Sequence, residues 1–367
     1  MSDVVLVSTI GEGERRVGRL TLNTPRILNS LDAEMIEIML AKLLEWAEDD
    51  SIAAVYIDGE GEKAFCAGGD VHELRRSSME NPGGPCTYAE NFFAREYQMN
   101  YALFTYPKPV ICWGHGVVMG GGMGVMAGCS HRVVSERTRI GMPEITIALF
   151  PDVGGSYFLN RTPGMIGRFL SLTSVHINAT DALYANLGDV FLAHEQRHSV
   201  VEALASGPWS SDAAANTAIV DEILGMEATV DQPLGVIEPL MPQINALMAG
   251  DDLNDISDRL LGYEGDNVWL QKARDGFAHG SKLAACWIFR QLNDSANYSL
   301  KEVFDTELRL GANIMRHPEF AEGVRALLVD KDRQPKWQFA TVQDVPMDVL
   351  ESFFSEPPGA PNMHYPW

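Results

Sequence analysis

The sequence predicts an α/β protein whose C-terminal half is mostly helical. Three observations carry this. Short β-branched runs alternate with amphipathic stretches of helical period up to about residue 205. After about Ser206 alanine, serine and acidic residues dominate, apolar residues recur at helical spacing, and strand signals fade. The length of 367 residues fits two domains or one large domain with an appendage, at roughly 100–200 residues per domain. A chain of that size buries a core without disulfides.

Taken in order, Val4 to Ser8 and Val17 to Leu22 read as strands of a hairpin turned at Gly11-Glu12-Gly13. Asp32-Ala33-Glu34 opens a helix in which Met35, Ile36, Met39, Leu40, Leu43, Leu44 and Trp46 recur at helical spacing, and Asp49-Asp50 closes it. Ala53 to Ile57 is a buried strand before a glycine turn. Tyr88 to Tyr106 is a helix stopped by Pro107, and Val110 to Trp113 a short apolar strand. Gly114 to Gly124 is glycine-rich and leads into a short buried helix, Met123 to Cys129. His131 to Ser135 suits a strand, and Met142 to Gly155 a loop punctuated by proline and glycine. Gly164 to Leu172 and Ala179 to Leu187 are helical, Gly188 ends the second, and Val190 to Leu192 is a strand. In the second half Leu300 to Arg316 and Phe320 to Leu328 are amphipathic helices, and the stretch from Glu356 is a proline-rich surface tail. The expected division is a core at 1–205, a helical region at 206–355 and a tail at 356–367, with no internal repeat.

Charge narrows the function classes. The net charge is −22, from 28 basic and 50 acidic residues. Such a chain repels nucleic acid and anionic membrane surfaces, which are bound by clustered Lys and Arg, so neither is expected as a partner. The five cysteines, Cys66, Cys86, Cys112, Cys129 and Cys286, are odd in number and scattered, which reads as reduced thiols. Met1-Ser2-Asp3-Val4 has neither the basic start of a secretory signal nor the Arg-rich character of a transit peptide, so the expected location is cytoplasmic. No apolar stretch reaches the ~18 residues of a membrane span.

Two glycine-rich loops carry the first chemical signal. Ala64-Phe65-Cys66-Ala67-Gly68-Gly69-Asp70 follows a strand. His115-Gly116-Val117-Val118-Met119-Gly120-Gly121-Gly122-Met123-Gly124 follows another and precedes a helix. Glycines there let the backbone turn sharply and approach a ligand, and a helix start leaves N–H donors unpaired. Two such donors from two loops can converge on one oxygen. Either loop alone reads first as a tight turn where a helix packs closely on a strand. Neither matches a phosphate-binding motif, which excludes nucleoside triphosphates and NAD. The third signal is Gly141-Met142-Pro143-Glu144, with Pro151-Asp152-Val153-Gly154-Gly155 shortly after. Carboxylates in an apolar, proline-punctuated run suit acid–base work if buried, and otherwise cap a turn or hold a loop N–H. No G-x-S-x-G elbow occurs. No histidine pair has ligand spacing beside acids; His194 and His198 suit a surface helix face, and no metal site is expected.

An A-G-G-D loop, a G-G-G helix start, P-E and P-x-x-G-G, in that order, resemble the enoyl-CoA hydratase/isomerase (crotonase) superfamily. The resemblance implies a crotonase-like spiral of ββα units, an acyl-CoA substrate and two backbone N–H donors on the thioester carbonyl, at Gly69 and Gly121. Hydratases of the superfamily carry G-G-G-x-E; here Gly124 stands in place of that acid, while Glu144 matches the second hydratase Glu and Asp152 is an additional acid. M-G-G-G-x-G, M-P-E, L-F-P-D-V-G-G and Y-F-L are similar to the 3-hydroxyisobutyryl-CoA hydrolase branch. So are Phe92-Phe93-Ala94-Arg95-Glu96-Tyr97 and the run from Phe320 to Asp332 followed by Pro335-Lys336-Trp337. The likeness is weakest between about Ser206 and Gly280.

That branch implies hydrolysis of the thioester of a short 3-hydroxyacyl-CoA, as in valine breakdown. Glu144 would be base or nucleophile, Asp152 the partner of the substrate hydroxyl or of water, and Glu96 an acyl-end contact, with Gly121 also against substrate. The alternative for Glu96 is a pair with Arg95 or a neighbour on a helix surface. Arg26, Leu28 and Ala67 match the segments that touch coenzyme A. No cofactor is implied beyond the coenzyme A of the substrate, and a homo-oligomer is the expected assembly, trimers and hexamers being common in the superfamily. The alternatives are a hydratase or isomerase of the same superfamily and a non-catalytic acyl-CoA-binding protein. Two acids beside one carbonyl argue against the latter.

Overall fold

The computed structural model describes residues 4–367. Its strands are β1 (Val5–Ile10), β2 (Arg16–Leu22), β3 (Ile52–Gly59), β4 (Ala64–Cys66), β5 (Val110–Gly114), β6 (Val117–Met119), β7 (His131–Val134), β8 (Arg139–Gly141) and β9 (Val190–Phe191). The helices of the first half are α1 (Ala33–Glu48), α2 (Val71–Glu80), α3 (Thr87–Phe104), α4 (Gly121–Gly128), α5 (Gly155–Leu159), α6 (Ile166–Thr173), α7 (Ala179–Tyr184) and α8 (Arg197–Ser206). After them come α9 (Ala213–Leu224), α10 (Ile237–Leu247), α11 (Leu253–Leu261), α12 (Val268–His279), α13 (Lys282–Asp294), α14 (Leu300–Met315), α15 (Pro318–Val324) and α16 (Met347–Phe353).

The expected hairpin forms: β1 and β2 pair antiparallel, with Val5 opposite Leu22 and Ile10 opposite Val17. The remaining pairings of the large sheet, ordered β1-β2-β3-β5-β7-β9, are parallel. A second sheet, β4-β6-β8, is wholly parallel. Its strands are three residues each: β4 and β6 lie inside the two glycine loops, and β8 ends just before Met142-Pro143-Glu144. Consecutive strands thus alternate between sheets: β3, β5 and β7 enter the large one, and β4, β6 and β8 the small one. This is the spiral of strand–strand–helix units.

Helix α1 starts where its cap predicts, the Asp32 side chain accepting from Met35 N–H at 2.8 Å. Helix α2, capped by Asp70 on His72 N–H, was not evident from the sequence. Helix α4 begins at Gly121, two residues before the expected Met123, because glycine's poor helix propensity masks its first turn. The loop Met142 to Gly155 contains a 3₁₀ turn at Glu144–Ile147. The last predicted helix splits into α15 and a π turn at Arg325–Val329.

One large core runs through both halves of the chain, from Val5 to Phe353. The final residues lie across α14 and α3. Tyr365 donates to Asp305 at 2.6 Å, its ring meets Tyr101 edge-on at 4.5 Å, and Trp367 Nε1 reaches Thr105 Oγ1 at 2.7 Å. All five cysteines are free and buried. Among the described residues no helix is long and apolar enough to cross a membrane.

Candidate active site

The small sheet explains why the signals of the sequence converge. Strands β4, β6 and β8 are parallel, so the chain leaves all three at the same edge. Ala67–Gly69 follow β4, Gly120–Gly121 follow β6, and Glu144 follows β8. A cavity of about 510 Å³ opens there, lined by Gly69, Gly121, Glu96, Glu144 and Asp152 and also by Leu28 and Ala67. Arg26 is exposed on a single 3₁₀ turn and does not line it, although Ile27 and Leu28 beside it do.

Two backbone donors face this space. Leu31 and Gly69 form an isolated parallel bridge in which Leu31 N–H donates to Gly68 O and Asp70 N–H to Leu31 O, both at 2.8 Å. In a parallel bridge the residue between the two bonded groups turns its own N–H away, so Gly69 N–H is left on the cavity side. Gly121 is the first residue of α4, where an N–H has no intrahelical acceptor; the first bond, Gly124 N–H to Gly120 O at 3.0 Å, begins beyond it. A Cβ on Gly121 would lie 3.4 Å from Gly69 N and would collide with Glu96 Oε1. Gly68 and Gly120 have φ of 106° and 49°, open to glycine, and only with such turns do the two loops meet.

Three carboxyls surround these donors. Glu96, Glu144 and Asp152 are 2%, 4% and 4% exposed, which makes them buried acids rather than solvated ones. Glu96 does not pair with Arg95. That guanidinium turns outward and binds Glu37 through two bonds of 2.6 Å. Among the described residues Glu96 Oε1 and Glu144 Oε2 are buried without a hydrogen-bond partner. Glu144 caps nothing; a Cβ on Gly120 would stand 3.1 Å from its Oε1. Asp152 is held by Tyr97, whose hydroxyl donates to Oδ2 at 2.7 Å.

Burial lifts the Glu96 and Glu144 carboxyls well above the ordinary range, and the charge of Asp152 adds to both. Burial pushes Asp152 up to about 6, against the Tyr97 hydrogen bond, which favours its ionised form. Raised carboxyls beside a pair of N–H donors can take or give a proton near neutrality while an oxygen between the donors gains negative charge.

Other expectations land elsewhere. His194 is not on a surface face. It is 8% exposed, and its ring lies 4.9 Å from that of His115, because the 3₁₀ turn His194–Gln196 that carries it leads into α8, which packs on the large sheet. His115 Nε2 meets Gly61 O at 2.8 Å, a backbone-orienting contact. His198 does lie exposed, paired with Glu202. Among the described residues no group of three or more His, Cys, Asp or Glu could hold a metal ion.

The sequence singled out neither Tyr97 nor Glu307. Tyr97 stood in a quoted motif without a role. Glu307 lies on α14, and its carboxylate accepts Gly154 N–H at 2.8 Å and Ser156 N–H at 3.0 Å, directly behind Asp152. Their only sequence signal is a polar residue on the apolar face of an amphipathic helix.

Comparison with known proteins follows the same lines. A family profile described as enoyl-CoA hydratase/isomerase matches residues 17–354. The mitochondrial 3-hydroxyisobutyryl-CoA hydrolase of Bos taurus is 35% identical over 338 residues, covering 92% of this chain and 86% of that protein. Those of Homo sapiens and Gallus gallus are 34% and 33% identical with the same coverage. Among solved structures, a carnitinyl-CoA dehydratase from Mycobacterium thermoresistibile matches at TM-score 0.87 and 32% identity, covering 99% of both chains. An enoyl-CoA hydratase from Rhodobacter sphaeroides 2.4.1 matches at 0.83 and 31%, covering 96% of this chain and 97% of that one.

Proposed function

This chain belongs to the enoyl-CoA hydratase/isomerase family, and from that premise we propose that it hydrolyses the thioester of 3-hydroxyisobutyryl-CoA, or of a similar short 3-hydroxyacyl-CoA, to the free acid and coenzyme A. The observation that carries this reading is the trio of buried acids, Glu96, Glu144 and Asp152, around one cavity with two backbone N–H groups. The named relatives support the substrate class.

In this reading Gly69 and Gly121 N–H form an oxyanion hole for the thioester oxygen. Losing one such donor costs ~3–4 kcal/mol of barrier. Glu144 acts as base on water, or attacks the carbonyl and forms an acyl anhydride that water then opens. In either route the C–S bond breaks, the thiolate takes a proton, and water supplies the new oxygen. Asp152 accepts the substrate hydroxyl and Glu96 contacts the acyl end. An acyl-CoA lacking the hydroxyl would leave Asp152 short of a partner, which is how the site selects. Leu28 and Ala67, at the cavity wall, support a coenzyme A path there; Arg26 would reach only a phosphate outside it. The reaction needs no resident cofactor.

A second reading, hydration or dehydration of a short acyl-CoA, is favoured by the names of the two solved structures. Against it stands Gly124, where a Cβ would collide with that of Val153 and lie 3.0 Å from Asn100 Nδ2. The hydratase acid is thus not merely missing: Val153 fills the space its side chain would need. A thiol-release assay over a panel of acyl-CoAs decides. Release from 3-hydroxyisobutyryl-CoA with little hydration of crotonyl-CoA is expected, and efficient hydration without thiol release would sink the hydrolase assignment.

The proposal includes a homo-oligomer, a trimer or hexamer, to be tested as a solution mass that is a multiple of 40.4 kDa. Five free cysteines support a reducing compartment. A cytoplasmic location is proposed against relatives named as mitochondrial, and cell fractionation separates the two.

A further inference from the structure

Glu307 is fully buried, and among the described residues it has no ion-pair partner. It sits in α14, outside the cavity, yet its two oxygens take the N–H groups of Gly154 and Ser156 at 2.8 and 3.0 Å. The first of those donors ends a left-handed pair: Val153 at φ 55° and Gly154 at φ 83°, directly after Asp152. A β-branched residue at positive φ is an outlier that persists only where its surroundings over-determine it. Phe104 and Phe304 close over Gly154, a Cβ there lying 3.1 and 3.2 Å from them, so the clamp is dry. The Asp152 side chain is fixed separately, by Tyr97 from α3. Side chain and backbone of one acid are therefore held from two different helices.

We propose that Glu307 is a positioning residue for Asp152: by clamping the Gly154 and Ser156 N–H groups it holds the left-handed Val153–Gly154 turn and sets the direction in which the Asp152 carboxylate meets the substrate. This rests on the reading of Asp152 as acceptor of the substrate hydroxyl. Burial pushes Glu307 up to about 8, against the two N–H groups that favour its charge, and the nearby charge of Asp152 raises it further. What carries the clamp is the geometry, one backbone N–H aimed at each carboxyl oxygen. A glutamine keeps one acceptor but presents an NH₂ to the other backbone N–H, so it breaks the pair of bonds whichever way Glu307 is protonated.

The test is a double-mutant cycle on the whole chain, read as thiol release from 3-hydroxyisobutyryl-CoA. Glu307→Gln is expected to lower kcat at least tenfold with KM within threefold of wild type. Glu307→Asp, which keeps both acceptors, should retain more activity than Glu307→Gln. The double variant Asp152→Asn/Glu307→Gln should fall within threefold of Asp152→Asn alone, because the clamp acts through the acid already lost. Multiplicative losses in the double variant would overturn the proposal. So would a Glu307→Gln enzyme within twofold of wild type while Asp152→Asn is impaired. If Glu307→Gln does not fold, the same cycle with Glu307→Asp decides on the same criterion. A wild-type enzyme that releases no thiol overturns the functional reading instead, and with it the premise.

Discussion

Glu144 is where the chemistry is most exposed to test. Its carboxyl is buried, one oxygen has no partner, and no helix or turn depends on it as a cap. Glu144→Ala is expected to cut kcat by at least ~100-fold, the low end for loss of a general base. The melting temperature should hold or rise, because an unpaired buried acid is removed. Near wild-type turnover would make Glu144 structural. Asp152→Asn should cost ~1–2 kcal/mol with a 3-hydroxyacyl-CoA and almost nothing with an analogue lacking the hydroxyl, since a charge-assisted bond becomes a neutral one. Comparing kcat/KM on the two substrates checks this. Tyr97→Phe removes the hydrogen bond that holds Asp152 down, so its carboxyl should titrate above its present value of about 6. If activity needs ionised Asp152, the acidic limb of the pH–rate profile moves to higher pH; an unmoved limb would assign that limb to another group. At this scale Glu144, Asp152 and the two glycines were legible because their motifs are local. Glu96 was legible only through the resemblance, since adjacent positions on a helix differ by ~100° and only the packed neighbour says whether it or Arg95 faces inward.

Among the elements, α4 shows why the site has the shape it has. Gly121, Gly124 and Gly128 form a stripe, at spacings of three and four, turned toward α3 and the Asp152 turn. A Cβ on Gly128 would stand 2.7 Å from Leu103 Cβ, and one on Gly124 would collide with Val153 Cβ. The stripe lets α3 approach closely enough for Glu96 to reach the start of α4. Gly124→Ala should therefore destabilise by ~1–3 kcal/mol from overpacking, despite alanine's better helix propensity. Gly124→Glu should destabilise more and acquire no hydration of crotonyl-CoA. Urea unfolding and an absorbance assay read the two outcomes, and a stable, hydrating Gly124→Glu would contradict the packing argument. The short strands β4, β6 and β8 escaped sequence reading for a related reason. Three residues carry no measurable period, and their pairing is long-range.

For the molecule as a whole, the C-terminal helices back the segment that carries the acids. Ser281 N–H donates to Ile145 O at 3.1 Å, and Trp287 Nε1 reaches Leu149 O at 3.2 Å. A Cβ on Gly323 would lie 2.6 Å from Ile147 Cα, and Glu307 clamps Gly154 and Ser156. Arg316 fastens the end of α14 to Glu90 of α3 by two bonds of 2.8 and 2.9 Å, with Glu90 1% exposed. Arg316→Ala leaves that carboxylate buried without its cation and should cost ~3–5 kcal/mol in chemical denaturation. A loss below ~1 kcal/mol would mean water replaces the guanidinium. The buried acids also set a pH dependence. Folded Asp152 titrates at about 6 against an ordinary 3.8, and Glu307 at about 8 against 4.5. Between about pH 4 and 8 the folded state thus binds more protons than the unfolded one, so stability falls as pH rises through that window. Growing negative charge on a chain already at −22 acts in the same direction. The ligand-free protein should melt several degrees lower at pH 8.5 than at pH 5.5; a flat or rising melting curve would mean the acids are solvated.

The sequence by itself determined the alternating architecture, the helical second half and the ordered glycine and acid motifs, because each of these is written in residues within a few positions of one another. It also carried Gly124, whose absence of a side chain is as local as any motif. Only the tertiary structure decided that three short parallel strands deliver those motifs to one edge, that Gly69 N–H turns away from Leu31, that Glu96 points in and Arg95 out, and that Tyr97 and Glu307 hold Asp152. Those outcomes depend on partners up to 153 residues apart, as Ser156 to Glu307 is by 151 and Gly154 to Glu307 by 153. A buried polar group declares its partner only once the chain has closed around it.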